Sequence, residues 1–481
     1  MSFRLSRRWV SIAALLALAG CSVIAASETA QCATDNDCFV KFGGGLVCQS
    51  GGCIAGSSAQ PTSRVVSTLK DCRSSQECVA ALGEGFLCRR DRNDAQKKGV
   101  CQQLTPSSDC TIMGDYKNDE VVLFGALIPG KASPALAAAV RAGLERAVDD
   151  WSNVARQLQG PATSSENVAP PRPFAVIACS EDLPGADLRN IYLNSGTRLI
   201  IGPSVLNAQT ASLTTELTNA KIVFLSPTSF VAPAEGAGVG VFYFRVAGSE
   251  FALAAALATT PAPKPVFLFR QTNQFAQLEP PLTGAFPGIK LFTYDDPNAL
   301  TFTGPKDSSV LVLGDGETPT VFARAAVTGT SMVLPGAIPD VAAAVAAKAP
   351  LPASLRSVKA RRSATTPVPG FPTGGFGDAE TYDATYLALT ALAALDVAVS
   401  PEDAKEDLLR AALVRASNPG GKEISAQAAS IKDILNTLRG SADATVQLLG
   451  ATGSLAMPPG TQTTAHPLVG CLVDSKTGTC D

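Results

Sequence analysis

Apolar and polar residues follow two different periods along most of this chain. From residue 120 onward, short apolar runs alternate with longer stretches whose apolar positions recur every three or four residues. Residues 121–128 are apolar throughout, which predicts a strand buried on both faces. Ser133-Pro134 follows as a helix cap with proline at the first helical position. The helix it opens, 134–151, sets Leu136, Val140, Leu144, Ala147, Val148 and Trp151 on one stripe. Residues 174–178, 198–201 and 222–225 are further short buried strands, with a helix over 206–220 between the last two. The alternation restarts after a glycine-rich run at 236–240. Strands are predicted at 242–246, 266–269, 289–294, 310–313 and 331–334, with Ser249 capping a helix over 250–258. A long helix covers 379–397, and Ser400-Pro401-Glu402-Asp403 opens another with cap, proline and first-turn acids in place. Buried strands alternating with helices predict parallel sheets covered on both faces. Two such stretches in series leave a crevice at the carboxyl ends of their strands, where ligands bind in open α/β sheets.

The first 116 residues do not follow this pattern. Arg4, Arg7 and Arg8 precede an apolar run over 10–19 that is too short to span a bilayer comfortably, as in a signal peptide over 1–20. Leu18-Ala19-Gly20-Cys21 resembles the lipobox of bacterial lipoproteins. The resemblance implies a lipid on Cys21, a tether over 21–31, and membrane attachment by the anchor alone, since two or three acyl chains at ~0.8 kcal/mol per buried methylene hold a protein stably. Ser22, with no acid beside Cys21, resembles an outer-membrane sorting signal, so the expected location is the cell envelope, on the outer membrane or the periplasmic face.

The chain has thirteen cysteines, and setting Cys21 aside leaves an even number suited to an oxidising compartment. Cys32-x5-Cys38-x9-Cys48-x4-Cys53 is followed, across a linker at 54–71, by Cys72-x5-Cys78-x9-Cys88-x12-Cys101. The matching spacings, with Asp37-Cys38 against Glu77-Cys78, mark an internal repeat. Units over 32–53 and 72–110 are too short to bury a core, so disulfides are the expected staple. Zinc sites favour two to four residues between cysteines, which these spacings do not supply. Cys471-x8-Cys480 encloses the turn-forming run Asp474-Ser475-Lys476-Thr477-Gly478, so a disulfide-closed hairpin is expected over 471–481. That leaves Cys110 to pair with Cys179.

Hydrophobic residues make up 46% of the chain and charged ones 17%, enough apolar surface for sizeable cores. The net charge is −3 and no basic stripe is present, which excludes nucleic acid as the expected partner. His466 is the single histidine, with no cysteine or acid at metal-ligand spacing around it. The run Gly43-Gly44-Gly45 lacks the following helix of a phosphate loop, and Gly202-Pro203-Ser204 lacks the second glycine of a nucleophile elbow. No enzymatic activity, cofactor or metal is therefore expected.

Several segments in order are similar to one family. Phe124-Gly125-Ala126-Leu127-Ile128-Pro129, followed by the 138–151 helix, resembles the first strand and helix of the type I periplasmic-binding family, which includes the branched-chain amino-acid receptors of ABC importers. Leu199-Ile200-Ile201-Gly202-Pro203 resembles that family's third strand and turn, Leu225-Ser226-Pro227 the segment after its fourth strand, and Phe244-Arg245-Val246 its first crossover. Tyr382-Asp383-Ala384 and Gly450-Ala451-Thr452-Gly453 resemble its returning helix and a late turn. The resemblance implies an α/β, two-lobed type I periplasmic-binding fold: two doubly wound parallel sheets joined by a three-crossing hinge, here behind a small disulfide-rich N-terminal region. Lobe one is expected over 116–236 plus 370–440 and lobe two over 237–369 plus 441–470.

By position, the ligand-binding candidates are Ser133, Ser204, Asn207, Thr228 and Ser229 in lobe one, and Phe275, Asp315 and Glu317 in lobe two. Leu206 and Phe230 stand where the family usually carries hydroxyls. An acid at Asp315 or Glu317 could take an ammonium, and Phe275 could stack on a ligand. The implied function is capture of a small solute (an amino acid, amide or similar) by hinge closure, for ABC import or sensing, with a permease as partner. The alternative is an envelope lipoprotein that keeps the fold, binds a protein partner and takes no solute.

Overall fold

The computed structural model describes residues 46–49 and 52–55 and, from 71 to 480, all but 91–98, 106, 159–170, 205, 234–237, 260–266, 273, 353, 361–367, 369–370, 372–375, 396–405, 459–460, 465–467, 475 and 478. The signal peptide, Cys21, Cys32, Cys38, the 56–64 linker, the Ser400 cap and His466 lie outside the described residues. The chain divides after Leu69 into two compact units. In the first, Leu46–Gln49 pairs antiparallel with Gly52–Ala55, setting the backbone of Cys48 opposite that of Cys53.

Two six-stranded sheets dominate the second unit. The first is built from β1 (Cys110–Gly114), β2 (Val122–Ile128), β3 (Phe174–Ser180), β4 (Leu199–Ile201), β5 (Val223–Ser226) and β6 (Tyr243–Arg245), in the order β6-β5-β4-β2-β3-β1. The second is built from β7 (Phe267–Gln271), β8 (Lys290–Tyr294), β9 (Val310–Leu313), β10 (Ser331–Val333), β11 (Leu355–Ala360) and β12 (Leu468–Val473), in the order β8-β7-β9-β10-β11-β12. All neighbours run parallel except β1 on β3 and β12 on β11. Apart from the largely exposed edge strand β8, the apolar runs read from the sequence are the buried parallel strands, as their two-sided burial requires.

Helices complete both lobes. In α1 (Pro134–Leu158), Leu136, Val140, Leu144, Ala147, Val148 and Trp151 face the core, and the helix runs two turns past Trp151. The helix α2 (Ala208–Asn219) follows β4, and α3 (Thr318–Ala325) and α4 (Ile338–Ala346) follow β9 and β10. The long helix α5 (Asp378–Leu395) packs on α1 and is buried on nearly every side, so it carries no polar stripe. Tyr382 and Tyr386 are fully buried in it, their hydroxyls 3.0 Å from Ala426 O and 2.5 Å from Gln427 O.

Several strands depart from the predicted pattern. Cys110–Gly114, placed at the end of the second cysteine unit by spacing, is the antiparallel edge of the first sheet, tied to β3 by the Cys110–Cys179 disulfide. A further three-stranded sheet, Lys422–Ser425, Val446–Gly450 and Gly453–Ser454, packs beside α5, so the chain is still with the first lobe past residue 440. Lys422–Ser425 opens on a lysine and a glutamate and β11 carries Arg356 and Lys359 among its apolar residues, so no continuous run announces either.

The chain passes between the lobes after β6, after β11 and again before β12. The first and third passages are zipped together: Arg245 N donates to Gln462 O at 2.8 Å and Thr464 Oγ1 donates to Val246 O at 2.6 Å. Asp383, fully buried on α5, accepts from Ala451 N and Thr452 N, both at 2.7 Å, and from Thr452 Oγ1 at 2.5 Å. The turn at Gly450 passes so close that a Cβ there would lie 2.3 Å from the Asp383 carboxylate.

The second cysteine unit is a helix, Ser75–Leu82, on a three-stranded sheet, joined by Cys72–Cys88 and Cys78–Cys101. Cys72, Cys78 and Cys88 bring their sulfurs together, but all three are consumed in these bonds. The unit docks on the first lobe: Ser75 N donates to Asp119 Oδ1 at 2.7 Å and Gln102 Nε2 to Asn194 O at 2.6 Å. Asp119 precedes β2 and Asn194 ends a helix, so the unit sits at the amino ends of the strands, away from the crevice. Cys471–Cys480 closes the C-terminal turn, and Lys359 Nζ donates to Cys480 O at 2.6 Å.

Removing Cys110–Cys179, whose partners lie 69 residues apart and are both buried, frees a long loop in the unfolded chain. The double Cys110→Ala, Cys179→Ala variant is expected to lose about 4 kcal/mol in denaturant unfolding under non-reducing conditions.

Candidate functional site

Parallel strands deliver their carboxyl ends to one edge of each sheet, and here the two edges face one another. In the first lobe, β2, β3, β4 and β5 run out into Ser133, Glu181, Ser204 and Thr228. In the second, β8 ends on Tyr294, β9 leads into Gly314–Glu317 and β10 into Pro335–Gly336.

The lobes touch directly at this point. Gly316 N donates to Ser133 Oγ at 2.9 Å. Ala135 N, one of the unpaired N–H groups that open α1, donates to Asp340 Oδ1 at 3.2 Å, and a carboxylate is favoured at that helix end. Residue 316 must be glycine for this approach, because a Cβ there would lie 1.6 Å from Ala132 O.

Four acids converge behind these contacts. Glu181 is 4% exposed, Asp340 6% and Asp315 7%, while Glu317 turns its Oε1 into the interior. Glu181 Oε1 accepts from Ser204 N at 2.7 Å, and Glu317 Oε2 accepts from Asp315 N at 3.1 Å. Asp315 is pressed against the β10 turn, where a Cβ on Gly336 would lie 2.3 Å from its Oδ1. Burial, and then the charges of Glu317, Asp340 and Glu181, push the Asp315 carboxyl well above the usual carboxylate range. Burial also raises Glu317 against the pull of backbone N–H donors, and it pushes Asp340 up to about 6 against the N–H of Ala135. Tyr294 is raised by burial and then by Glu317 and Asp315, which places its hydroxyl in their field. Among the described residues no lysine or arginine offsets Asp315, Glu317 or Asp340. Glu317 Oε1, Asp340 Oδ2, Ser204 Oγ and the Tyr294 hydroxyl are buried without a hydrogen-bond partner. Such atoms are costly in a folded chain.

The other expected contacts have local tasks. Thr228 Oγ1 donates to Ser204 O at 2.9 Å, and Ser229 Oγ to Val231 O at 3.0 Å. Asn207 caps α2, accepting from Thr210 N at 2.9 Å in a reciprocal capping box. Phe275 is 8% exposed, packed in the apolar core in a left-handed conformation. Leu206 is buried, and Phe230 stacks on Phe376 with ring centroids 6.3 Å apart. Glu181, Asp340 and Tyr294 were not singled out in the sequence. For Glu181 the signal was there, since an acid directly follows a buried strand, as Asp315 does. Asp340 lies in the first turn of a helix and meets Ala135 only through the fold.

Two hollows lie elsewhere, at the hinge. One of about 10 Å³ is lined by Phe230, Val246, Phe376 and Leu468. A larger, open one of about 610 Å³ runs past Tyr243, Arg245, Phe251 and Gln462. Its charged pair, Arg245 with Glu250, is already satisfied, and none of its lining atoms is a buried orphan. The acid crevice is therefore the stronger site.

No protein-family model and no curated protein matches the chain. Among solved structures it is similar to a leucine-binding protein from Thermotoga maritima, at 15% identity over 75% of this chain and 97% of that one, with a TM-score of 0.50. Two others are a branched-chain amino acid transporter substrate-binding protein from Streptococcus pneumoniae in complex with isoleucine, at 15% identity, 75% and 98% coverage and TM-score 0.49, and an ABC transporter solute-binding protein from Rhodopseudomonas palustris in complex with 4-hydroxybenzoate, at 13%, 75% and 95%, and 0.47. The first of these likenesses agrees with the two sheets and three crossings in giving a two-lobed type I periplasmic-binding fold. Among the described residues no helix is long and apolar enough to cross a membrane.

Asp315, Glu317 and Asp340 bind a proton more tightly in the folded body than in the unfolded chain. Their contribution to stability is thus greatest below the ordinary carboxylate range and is lost as pH rises, through about 6 for Asp340. Asp340→Asn should flatten the fall in Tm between about pH 4 and about pH 6.5, read against wild type; an unchanged profile counts against this role. Gly316→Ala should hold the lobes apart, enlarging the radius of gyration in small-angle scattering with the circular dichroism spectrum unchanged.

Proposed function

We propose that this chain is an extracytoplasmic solute-binding lipoprotein, anchored through Cys21, that captures a small molecule between its lobes for ABC import or sensing. The observation that carries the reading is the crevice itself. Buried polar atoms from both lobes, Ser204 Oγ on one side and Glu317 Oε1 and Asp340 Oδ2 on the other, meet there without partners. A solute that satisfies both sets can do so only when the lobes are together, so binding shifts the population from open to closed. Ser133, Ser204, Glu181, Asp315, Glu317 and Asp340 are the contacts we assign. Among the described residues the site holds carboxyls and hydroxyls and no histidine or cysteine, a lining that suits binding.

A second reading has its own observation. The contacts of Ser133 with Gly316 and of Ala135 with Asp340 join the lobes directly, and Asn207, Thr228 and Ser229 serve the backbone. A closed body of this kind suits an envelope protein that binds a protein partner. Co-purification from solubilised envelopes separates the two: a permease points to solute capture, a wall enzyme or outer-membrane partner to the alternative.

The direct test is thermal unfolding of the detergent-solubilised chain against amino acids, amides, short peptides, sugars and aromatic acids. A true ligand at 100 times its Kd adds about 2.7 kcal/mol, so Tm must rise for at least one class. A panel with no rise anywhere removes the solute-binding reading.

A further inference from the structure

The chemistry of the unpartnered atoms narrows the solute, granted the solute-binding reading above. Carboxylate oxygens only accept hydrogen bonds, and a serine or tyrosine hydroxyl can accept as well as donate. The buried atoms left over at the crevice include two carboxylate oxygens, Glu317 Oε1 and Asp340 Oδ2, and three hydroxyls, Ser204 Oγ, Tyr294 OH and Thr318 Oγ1. Ser204 and Tyr294 are 4% and 6% exposed; Ser204 N donates to Glu181 at 2.7 Å and Tyr294 lies in the field of Glu317 and Asp315, so buried hydroxyls accompany the carboxylates of both lobes. Acceptors therefore predominate. A ligand that complements them brings several donors, no acceptors and positive charge, which describes an ammonium or a guanidinium group. A ligand carboxylate would meet like charge here, since among the described residues no lysine or arginine offsets Asp315, Glu317 or Asp340.

Electrostatics point the same way. Bringing the lobes together desolvates Asp315, Glu317 and Asp340 beside one another, which is unfavourable unless charge enters with them. A metal ion fits this arrangement poorly. Among the described residues no three of these carboxylates bring their oxygens within 4.8 Å of one another, whereas a hard cation needs its oxygens converged on one point. The separation suits a cation with its donors spread over several atoms.

We infer that the solute is an organic cation, a primary amine or guanidine lacking a carboxylate, held between Ser204 and Glu181 of the first lobe and Tyr294, Asp315, Glu317 and Asp340 of the second.

The test uses the full chain in detergent, at neutral pH and low salt, titrated with putrescine, agmatine, spermidine, leucine, glutamate, 4-hydroxybenzoate and calcium chloride, with Kd from calorimetry and Tm from tryptophan fluorescence. At least one of the three amines is expected to bind ten times or more tighter than leucine, and Asp315→Asn and Asp340→Asn to weaken it tenfold or more. Each amide variant should also have a higher Tm than wild type without ligand, because a repelling buried carboxylate is gone; this readout holds the assignment to account apart from affinity. Amine binding untouched by either variant, or confined to calcium, overturns the inference. So does tighter binding of leucine, glutamate or 4-hydroxybenzoate, although the solute-binding reading then stands. If nothing in this panel or the wider one binds, both fall.

Discussion

Everything at the crevice depends on desolvation. A carboxylate in water is well solvated, and the same group between two protein walls must find donors or shed its charge. The two lobes bring their strand ends together through Gly316 with Ser133 and Asp340 with Ala135, and these contacts seal the acids behind them. Closure and charge are coupled in this molecule: protonation of these acids favours the arrangement in which the lobes meet.

The architecture was legible where burial is two-sided. Residues 121–128 and 310–313 are apolar without interruption, and each is a central parallel strand. Strands that alternate, such as Leu355–Ala360, or begin on charge, such as Lys422–Ser425, were invisible because their partners come from distant parts of the chain. The site divides in the same way. Asp315 and Glu317 could be named because they follow a strong strand, and Ser133 because it precedes a helix. Asp340 could not, since what matters about it is Ala135, 205 residues away. Asn207, Thr228 and Ser229 show the opposite limit: a hydroxyl or amide beside a strand end satisfies a cap or turn as readily as a ligand, and only the folded arrangement separates the two uses.

The motifs behind the family resemblance acquire a physical reason in the hinge. The Tyr382-Asp383-Ala384 helix and the Gly450–Gly453 turn lie far apart in sequence, yet the Asp383 carboxylate joins them through three donors. The bond fixes where the chain begins its third passage, and the pairing of Arg245 with Gln462 and Thr464 binds that passage to the first. The hinge is thus anchored at its ends by bonds outside the crevice, which leaves the lobes free to move about it without disturbing either core.

The antiparallel edge strands carry one more consequence. An open margin of a parallel sheet offers unpaired backbone groups to any passing strand and invites aggregation. Here β1 covers the β3 margin under a disulfide, β12 covers that of β11, and residues 462–464 lie along β6. The outer strand at the other side of the second sheet, β8, opens on Lys290, a charge of the kind that discourages self-pairing. In a reducing compartment the tie on β1 would open and that guard would loosen. Oxidation therefore protects the solubility of this body as well as its stability, and a chain held in the cytoplasm would be the one prone to stick to its neighbours.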